Sequence, residues 1–318
     1  MMKIGLSHNL PLDTVADYFE GIEVITPDRP LEAFTTEQLH GILPDLDAFI
    51  CIADTPFGKE EFEIAAKLKC IGNLGSGFNN VDIEEATCRN IPVLNTPVAV
   101  VNPTAENTFS LILGITRATV RYDRDLRKDG VCPKELLSYK DMTLSGKTLG
   151  IVGYGRIGRK VGELACAFGM NVIHFDPTSS DSVSLEQLLS SSDVVTLHAP
   201  YSSKTHHLIN KQTLSMMKES AYLINASRGA VVEENALVGA LRNRTIRGAA
   251  LDVHEFEPTV SQQIRELDNI VITPHISTNL AEVRLAMLRE LAQGIHTFVN
   301  TKELPRNTVN KKQLQIKE

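Results

Sequence analysis

The sequence predicts an α/β protein with two doubly wound parallel sheets. Three observations support this prediction: short apolar runs recur along the chain, helical patterns lie between them, and one apolar run leads into a glycine-rich turn. This alternation is typical of parallel sheets, because parallel strands need a crossover connection. With 318 residues, the chain is longer than one domain of ordinary size, so we expect two.

The first hundred residues predict the first sheet. Its expected strands are 3–6, 23–25, 48–53, 70–73 and 93–95, with helices such as 60–68 and 83–89 between them. Ser76 and Gly77 lie in a Gly-Ser-Gly turn directly after the fourth of these strands. The turn could simply require a positive φ, or it could present consecutive N–H groups to a small carboxylate. The residues alone leave both interpretations open.

Segment 149–176 carries the strongest single signal. An apolar run is followed by three glycines at the spacing G-x-G-x-x-G, then by a helix and a second strand that ends on Asp176. In such a unit the glycines permit a tight turn, close approach of a pyrophosphate and close helix packing. The acid accepts hydrogen bonds from the ribose. This order predicts a Rossmann dinucleotide-binding domain with its turn at Gly153, Gly155 and Gly158.

Six strands are predicted in this second domain, at 148–152, 171–175, 193–197, 221–225, 247–251 and 269–273. Ligands of such sheets bind beyond the carboxyl ends of the strands, so the polar residues there should form one site. They include Asp176, His198, Asn225, Ser227, Arg228, Asp252 and His275. A long amphipathic helix then returns the chain to the first domain, leaving a cleft. We expect domains at 1–100 with 284–318, and at 101–283.

Composition limits the classes of function. The net charge of −7, with 42% hydrophobic and 22% charged residues, is that of a globular protein without a nucleic-acid footprint. No apolar run approaches bilayer length, and no secretory signal precedes the first strand. The five cysteines are scattered; three sit beside apolar residues, which indicates buried, reduced thiols. We therefore expect a cytoplasmic protein without membrane, nucleic-acid or metal binding.

Taken together, the motifs resemble those of the D-isomer-specific 2-hydroxyacid dehydrogenases. The resemblance spans nearly the whole chain and is densest from 146 to 274. It implies two similar α/β domains, the first flavodoxin-like and completed by the C-terminal segment. It also implies NAD(H) as cofactor and a homodimer formed through the helix that starts at Pro103. The matching segments are 153–158, 197–200, 225–229, 251–258 and 274–275.

The resemblance assigns roles to individual residues. His275 would donate the proton in carbonyl reduction, Glu257 would pair with its ring, and Arg228 would bind the substrate carboxylate and carbonyl oxygen. The backbone of Ser76 and Gly77 would bind the same carboxylate, which favours the second interpretation of that turn. The implied cofactor contacts are Thr104, Gly153, Gly155, Arg156, Ile157, Gly158, Asp176, Pro200, Thr205, Ala226 and Asp252.

A few positions depart from the family pattern. Asn79 stands where many members have aspartate, and His254 stands where an aromatic residue is usual. Residues 276–279 are more polar than the small Gly/Ala run often found there, and the resemblance puts them near the nicotinamide. None of these departures removes a catalytic group, but the last could affect substrate fit.

The expected activity is NAD-dependent reduction of a small 2-oxo acid of the glyoxylate, hydroxypyruvate or pyruvate type. One alternative is D-3-phosphoglycerate dehydrogenase, but that branch commonly has an Arg-Ser pair where this chain has Ala53-Asp54. The other alternative is an NADH-sensing corepressor, which keeps the same catalytic set. Both alternatives usually have additional segments or domains, and we expect little beyond the two domains here.

Overall fold

The computed structural model describes residues 1–52, 55–132 and 141–314, apart from the side chain of Thr14. Ala53 and Asp54, on which the argument against a phosphorylated substrate depends, lie outside the described residues. The strands of the described part are β1 (Met2–Leu6), β2 (Ile22–Ile25), β3 (Ala48–Cys51), β4 (Cys70–Asn73), β5 (Val93–Leu94), β6 (Thr148–Val152), β7 (Asn171–Phe175), β8 (Val194–Leu197), β9 (Tyr222–Asn225), β10 (Gly248–Leu251) and β11 (Ile270–Ile272).

The α-helices of the same residues are α1 (Thr36–Ile42), α2 (Lys59–Ile64), α3 (Ile83–Cys88), α4 (Val101–Thr116), α5 (Thr119–Asp129), α6 (Arg156–Ala167), α7 (Leu185–Ser191), α8 (Lys211–Ser215), α9 (Glu234–Arg242), α10 (Gln262–Arg265) and α11 (Ala281–Thr301). The chain forms two compact units: Met1–Val100 with Leu280–Glu318, and Val101–Asn279. The second junction thus falls between 279 and 280, where the sequence suggested 283 and 284.

The first unit contains a parallel sheet in the order β2-β1-β3-β4-β5, which is the flavodoxin-like order. Phe49, Phe57 and Phe62 are buried in its core, with successive ring centroids 5.4 and 4.8 Å apart. The C-terminal segment packs into this unit. Asn310, for example, is buried, and its Oδ1 accepts the N–H of Val93 in β5 at 3.0 Å.

The second unit contains a parallel sheet in the order β11-β10-β9-β8-β6-β7. All six strands predicted for this sheet are confirmed. The order reverses at β6, between β7 and β8, and such a switch point is where open α/β sheets bind ligands. Strand ends are aligned, because Val152 pairs with both Phe175 and Leu197, and Asn225 pairs with both Leu197 and Leu251. Residues that follow these strands therefore share one edge.

Three details differ from the expectations. α4 begins at Val101, before Pro103, and ends at Thr116, because Ala118 adopts a left-handed φ of +49° that interrupts the helix. Val120 lies beyond this break, in α5. Cys51 and Cys70 are buried, but the other three cysteines are exposed, so the expectation of buried thiols is wrong for those three. Among the described helices, none has the length and apolar composition needed to cross a membrane.

Candidate active site

Three glycines shape the turn between β6 and α6. Gly153 has a φ of +89°, and a Cβ there would lie 2.6 Å from the backbone nitrogen of Ala199. A Cβ at Gly158 would lie 2.2 Å from the carbonyl oxygen of Gly153. Only glycine fits at these two positions, because both distances are far below carbon contact. At Gly155, by contrast, the place of a side chain is open space.

The open space at Gly155 fits a dinucleotide. Gly155 is the N-cap residue of α6, so no side chain of its own caps the helix, and Arg156 and Ile157 begin the first turn. The first N–H groups of a helix have no intrahelical partners and carry partial positive charge. Open space beside such donors suits a pyrophosphate. Residues of this turn would therefore hold the phosphates of the cofactor.

Asp176 lies beside the same turn, directly after β7. Its Oδ2 accepts the N–H of Tyr154 at 2.9 Å, and its Oδ1 accepts the N–H and the hydroxyl of Thr178 at 2.9 and 2.7 Å. The hydrogen bonds from Thr178 hold the pKa of the Asp176 carboxyl below its ordinary value. A carboxylate charged in this way is the acceptor that ribose hydroxyls require.

The other predicted cofactor residues differ in exposure. Pro200 is exposed, and its carbonyl oxygen accepts the hydroxyl of Thr205 at 2.7 Å, which closes the loop after β8. Ala226 follows β9 and is buried, and Thr104 is buried within α4. Asp252 is fully buried at the end of β10. The structure thus places Pro200, Ala226 and Asp252 after three strands of the switch-point sheet.

Arg228 stands in a loop that Asn225 organises. The side-chain oxygen of Asn225 accepts the N–H and hydroxyl of Ser227 at 3.1 and 2.9 Å, and its Nδ2 donates to the carbonyl of Arg228 at 3.0 Å. Gly229 packs directly on the next loop, because a Cβ there would lie 1.9 Å from the carbonyl oxygen of His254. Backbone contact therefore brings the Arg228 loop against the loop that carries Glu257.

Glu257 and His275 form a pair. Oε2 of Glu257 lies 3.0 Å from Nδ1 of His275, and its Oε1 accepts the N–H of His254 at 2.8 Å. The hydrogen bond to Glu257 raises the pKa of His275 above its ordinary value, while the charge of Arg228 acts in the opposite direction. Burial alone would raise the pKa of Glu257, but the bonds from His275 and His254 hold it below its ordinary value. Glu257 and Arg228 thus both affect the pKa of His275, in opposite directions.

The backbone of His275 is unusual. Its φ is +54°, a left-handed conformation that few residues other than glycine adopt. Its N–H donates to the carbonyl of Asp252 at 2.8 Å. The carboxylate Oδ1 of Asp252 accepts the N–H of Ile276 at 2.9 Å and the hydroxyl of Thr273 at 2.6 Å. Strained backbone persists only where its surroundings hold it, and here Asp252 does so from both sides of His275.

In the first unit, two buried asparagines orient the Ser76–Gly77 turn. Nδ2 of Asn95 donates to the carbonyl of Ser76 at 2.8 Å, and Nδ2 of Asn73 donates to the carbonyl of Gly77 at 2.6 Å. The carbonyl of Ser76 and the N–H of Gly77 belong to one trans peptide and point in opposite directions. The N–H of Gly77 therefore points away from Asn95.

The sequence did not reveal several residues that support these loops. Ser277, expected near the nicotinamide, is buried and binds Oδ2 of Asp252 through its N–H at 3.1 Å and through its hydroxyl. Oγ of Ser277 accepts Nδ2 of Asn107 at 2.8 Å. Glu255 binds Nε2 of His207 at 2.6 Å. The polar character of 276–279 was the available signal for Ser277, but its partners lie 25 and 170 residues away in sequence.

The glycine turn and the acid after β7 define the second unit as a dinucleotide-binding domain. Residues 109–277 match the family model described as D-isomer specific 2-hydroxyacid dehydrogenase, NAD binding domain. A Staphylococcus saprophyticus protein, provisionally named as a 2-hydroxyacid dehydrogenase, is 41% identical over 317 residues, covering 97% of this chain and 96% of that protein. The chain therefore belongs to the D-isomer specific 2-hydroxyacid dehydrogenase family.

Two solved structures share the fold over nearly their whole length. A glyoxylate reductase from Paecilomyes thermophila is 27% identical with a TM-score of 0.87, over 98% of this chain and 99% of that one. A D-lactate dehydrogenase from Aquifex aeolicus, solved with NAD and lactic acid, is 27% identical with a TM-score of 0.81, over 96% and 98%. The chain is thus an oxidoreductase of a family that acts on CH–OH groups, with NAD(H) as cofactor.

Proposed function

We propose that the chain is an NADH-dependent 2-oxo acid reductase that forms a D-2-hydroxy acid from a small, unphosphorylated 2-oxo acid of the glyoxylate, hydroxypyruvate or pyruvate type. The Glu257–His275 pair, with 3.0 Å between Oε2 and Nδ1, is the observation that carries this proposal. Because the pair raises the pKa of His275, the ring holds a proton at higher pH than an unpaired histidine. A group that protonates a carbonyl oxygen needs this property.

The residues have separate roles in this proposal. Nicotinamide, when bound, supplies the hydride. His275 gives its Nε2 proton to the substrate oxygen, and Glu257 stabilises the charged ring and fixes its orientation through Nδ1. Arg228 offers a planar pair of donors to the substrate carboxylate and carbonyl oxygen. The cofactor contacts that we propose, beyond the three glycines and Asp176, are Thr104, Arg156, Ile157, Pro200, Thr205, Ala226 and Asp252.

We assign substrate binding to the first unit as well. The backbone of Ser76 and Gly77 is proposed to bind the substrate carboxylate. The buried asparagines support this assignment, because they hold the carbonyl oxygens that would otherwise repel an anion. Successive N–H groups in a turn form a favourable anion site.

We further propose a homodimer formed through α4 and the segment after it. Val120, Leu126 and Phe168 leave large apolar side chains 54%, 45% and 44% exposed. Phe168 also stacks on Phe109 of α4, with ring centroids 5.2 Å apart. Large apolar side chains that are exposed in the free chain favour burial against a partner. Light scattering of the purified protein tests this proposal, because a homodimer has twice the mass of a single chain.

A substrate panel tests the activity. Purified protein is mixed with NADH and with glyoxylate, hydroxypyruvate, pyruvate or 3-phosphohydroxypyruvate in one buffer, and loss of NADH absorbance gives kcat/KM. We expect the unphosphorylated acids to be reduced best. Preference for the phosphorylated acid would overturn the substrate class and support a phosphoglycerate dehydrogenase. NADH binding without turnover of any acid would overturn the activity and support an NADH-sensing protein.

A further inference from the structure

A chain of hydrogen bonds runs from the half-buried Asn107 of helix α4 to the loop of His275. Nδ2 of Asn107 donates to Oγ of Ser277 at 2.8 Å, and Oγ of Ser277 donates in turn to Oδ2 of Asp252. Ser277 is 7% exposed and Asp252 is fully buried. No residue of the glycine turn at 153–158 takes part in these two hydrogen bonds.

Asp252 depends on its donors because it is a buried carboxylate. Burial alone would raise its pKa, but the hydrogen bonds from Ser277 and Thr273 hold the pKa below its ordinary value. Its donors are the hydroxyl of Thr273, the N–H of Ile276, and the N–H and hydroxyl of Ser277. Removing a donor from a buried charge leaves part of its desolvation cost unopposed. The loop 273–277 is therefore tied to Asp252 at both of its ends.

His275 lies inside this tied loop and has the φ of +54° described above. A left-handed residue relaxes toward ordinary backbone values when its neighbours are released. Rotation of this backbone would move the ring away from Glu257, since Nδ1 and Oε2 are held at 3.0 Å by the present path of the loop. The hydroxyl of Ser277 is thus placed to influence the geometry of the acid–base pair without touching it.

We infer that Ser277 and Asn107 are positioning residues that act through Asp252 to hold His275 against Glu257. The consequence for catalysis rests on the proposed function, whereas the link between α4 and the loop does not. Asn107 orients the hydroxyl, because its amide donates to Oγ and leaves the hydroxyl proton for Asp252. A carboxylate at position 107 would instead compete with Asp252 for that proton.

Amide hydrogen exchange tests the link without any assay of activity. In Ser277→Ala we expect the peptide that covers 273–277 to exchange about tenfold faster, the scale of one lost charged hydrogen bond. Asn107→Ala should accelerate exchange less than Ser277→Ala does, since Ser277 still donates to Asp252. Asn107→Asp should accelerate exchange more than Asn107→Ala does, because the new carboxylate competes for the hydroxyl proton. Ser215→Ala is the control, because Ser215 is exposed on α8 and its hydroxyl donates to the carbonyl of Gln212, away from this chain of hydrogen bonds.

Kinetics test the positioning role on the substrate that wild-type protein reduces best. Ser277→Ala should lower kcat about tenfold, and the pH at which reduction declines should fall as the ring loses Glu257. Unchanged exchange in Ser277→Ala would overturn the link. Faster exchange with unchanged kcat and pH profile would overturn the positioning role. Wild-type protein that reduces no 2-oxo acid would contradict the proposed function instead, and exchange would still decide the link.

Discussion

The glycine turn and the acid–base loop lie at the same edge of one sheet, but different forces specify them. The glycine turn belongs to one strand–helix–strand unit that runs from β6 to β7 and ends on Asp176. Steric contact between backbones determines that Gly153 and Gly158 must be glycine. The loop that carries His275 is held by a buried carboxylate and by a residue 170 positions away in sequence. Local steric constraints can be inferred from residue spacing, whereas long-range hydrogen bonds cannot.

This difference determines what should damage each region. The turn has no room for an added methyl group at two of its glycines, so small-to-large changes should disrupt cofactor binding. The conformation of the His275 loop depends on the charge of Asp252 and on its hydrogen-bond donors. Substitutions that remove a proton donor or a charge should therefore disrupt catalysis and its pH dependence. Substitutions of each kind can therefore test whether the two regions are separable.

The largest effect is expected for His275→Ala. Loss of a general acid lowers kcat by about 10²–10⁴-fold. NADH affinity, measured by fluorescence titration, should be nearly unchanged, because the glycine turn is intact. His296→Ala is a suitable control, since His296 is exposed on α11. Near-normal kcat in His275→Ala would mean that another group donates the proton.

Gly158→Ala should disrupt the glycine turn rather than the acid–base loop. The new Cβ would lie 2.2 Å from the carbonyl oxygen of Gly153, so the turn must shift. We expect a loss of about 1–3 kcal/mol in the free energy of unfolding, typical of overpacking, and weaker NADH binding. Gly239→Ala in α9 provides the control, because its Cβ would enter open space. If NADH affinity is equal in the two variants, the steric account of the turn is wrong.

Glu257→Gln should change the pH dependence of the reaction. Reduction needs a protonated ring, so its rate is high below the pKa of His275 and falls as pH rises through that value. Glu257 raises this pKa, and an amide does not stabilise the charged ring. The decline in kcat/KM for reduction should therefore move to lower pH. Glu163→Gln, at an exposed position of α6, should leave the profile in place; a shift there too would indicate a general charge effect.

Much of the fold could be predicted because it follows from local patterns. All six strands of the second sheet are apolar runs between helical segments, and each was located within about a residue. The break between α4 and α5 could not be predicted, because the apolar periodicity continues through it. Ala118 has no feature that marks a left-handed residue, unlike a glycine or asparagine at the same place.

The catalytic residues of the site could be predicted from short sequence motifs, but the residues that support them could not. The resemblance supplied Arg228, Glu257 and His275, and the described geometry brings both Arg228 and Glu257 within electrostatic range of His275. The polarity of 276–279 indicated an effect on substrate fit, but it did not reveal that the side chain of Ser277 is buried on Asp252. Whether a polar residue faces solvent, ligand or another buried group depends on tertiary packing, which residue type does not determine.

The smallest expected effect concerns the choice between NADH and NADPH. Asp176 carries a negative charge beside the glycine turn, and no arginine occupies positions 177–180 to bind a 2′-phosphate. Two unit charges about 4 Å apart repel by roughly 1–4 kcal/mol between water-like and protein-surface dielectrics. We therefore predict that the wild-type protein prefers NADH. Equal or better kcat/KM with NADPH would contradict this.

Asp176→Asn tests the charge more cleanly than alanine does. Alanine would also remove the acceptors of Tyr154 N–H and of Thr178, so a loss of activity could reflect a disordered turn. Asparagine keeps one of the two acceptor oxygens, so it removes the charge with less loss of hydrogen bonding than alanine causes. We expect the ratio of kcat/KM for NADPH to that for NADH to rise about tenfold, equivalent to about 1.4 kcal/mol. Asp181→Asn is the matched control, because Asp181 is an exposed neighbouring carboxylate that bonds the hydroxyl of Ser179. If both variants change the ratio equally, the preference arises from the general field of this edge and not from Asp176.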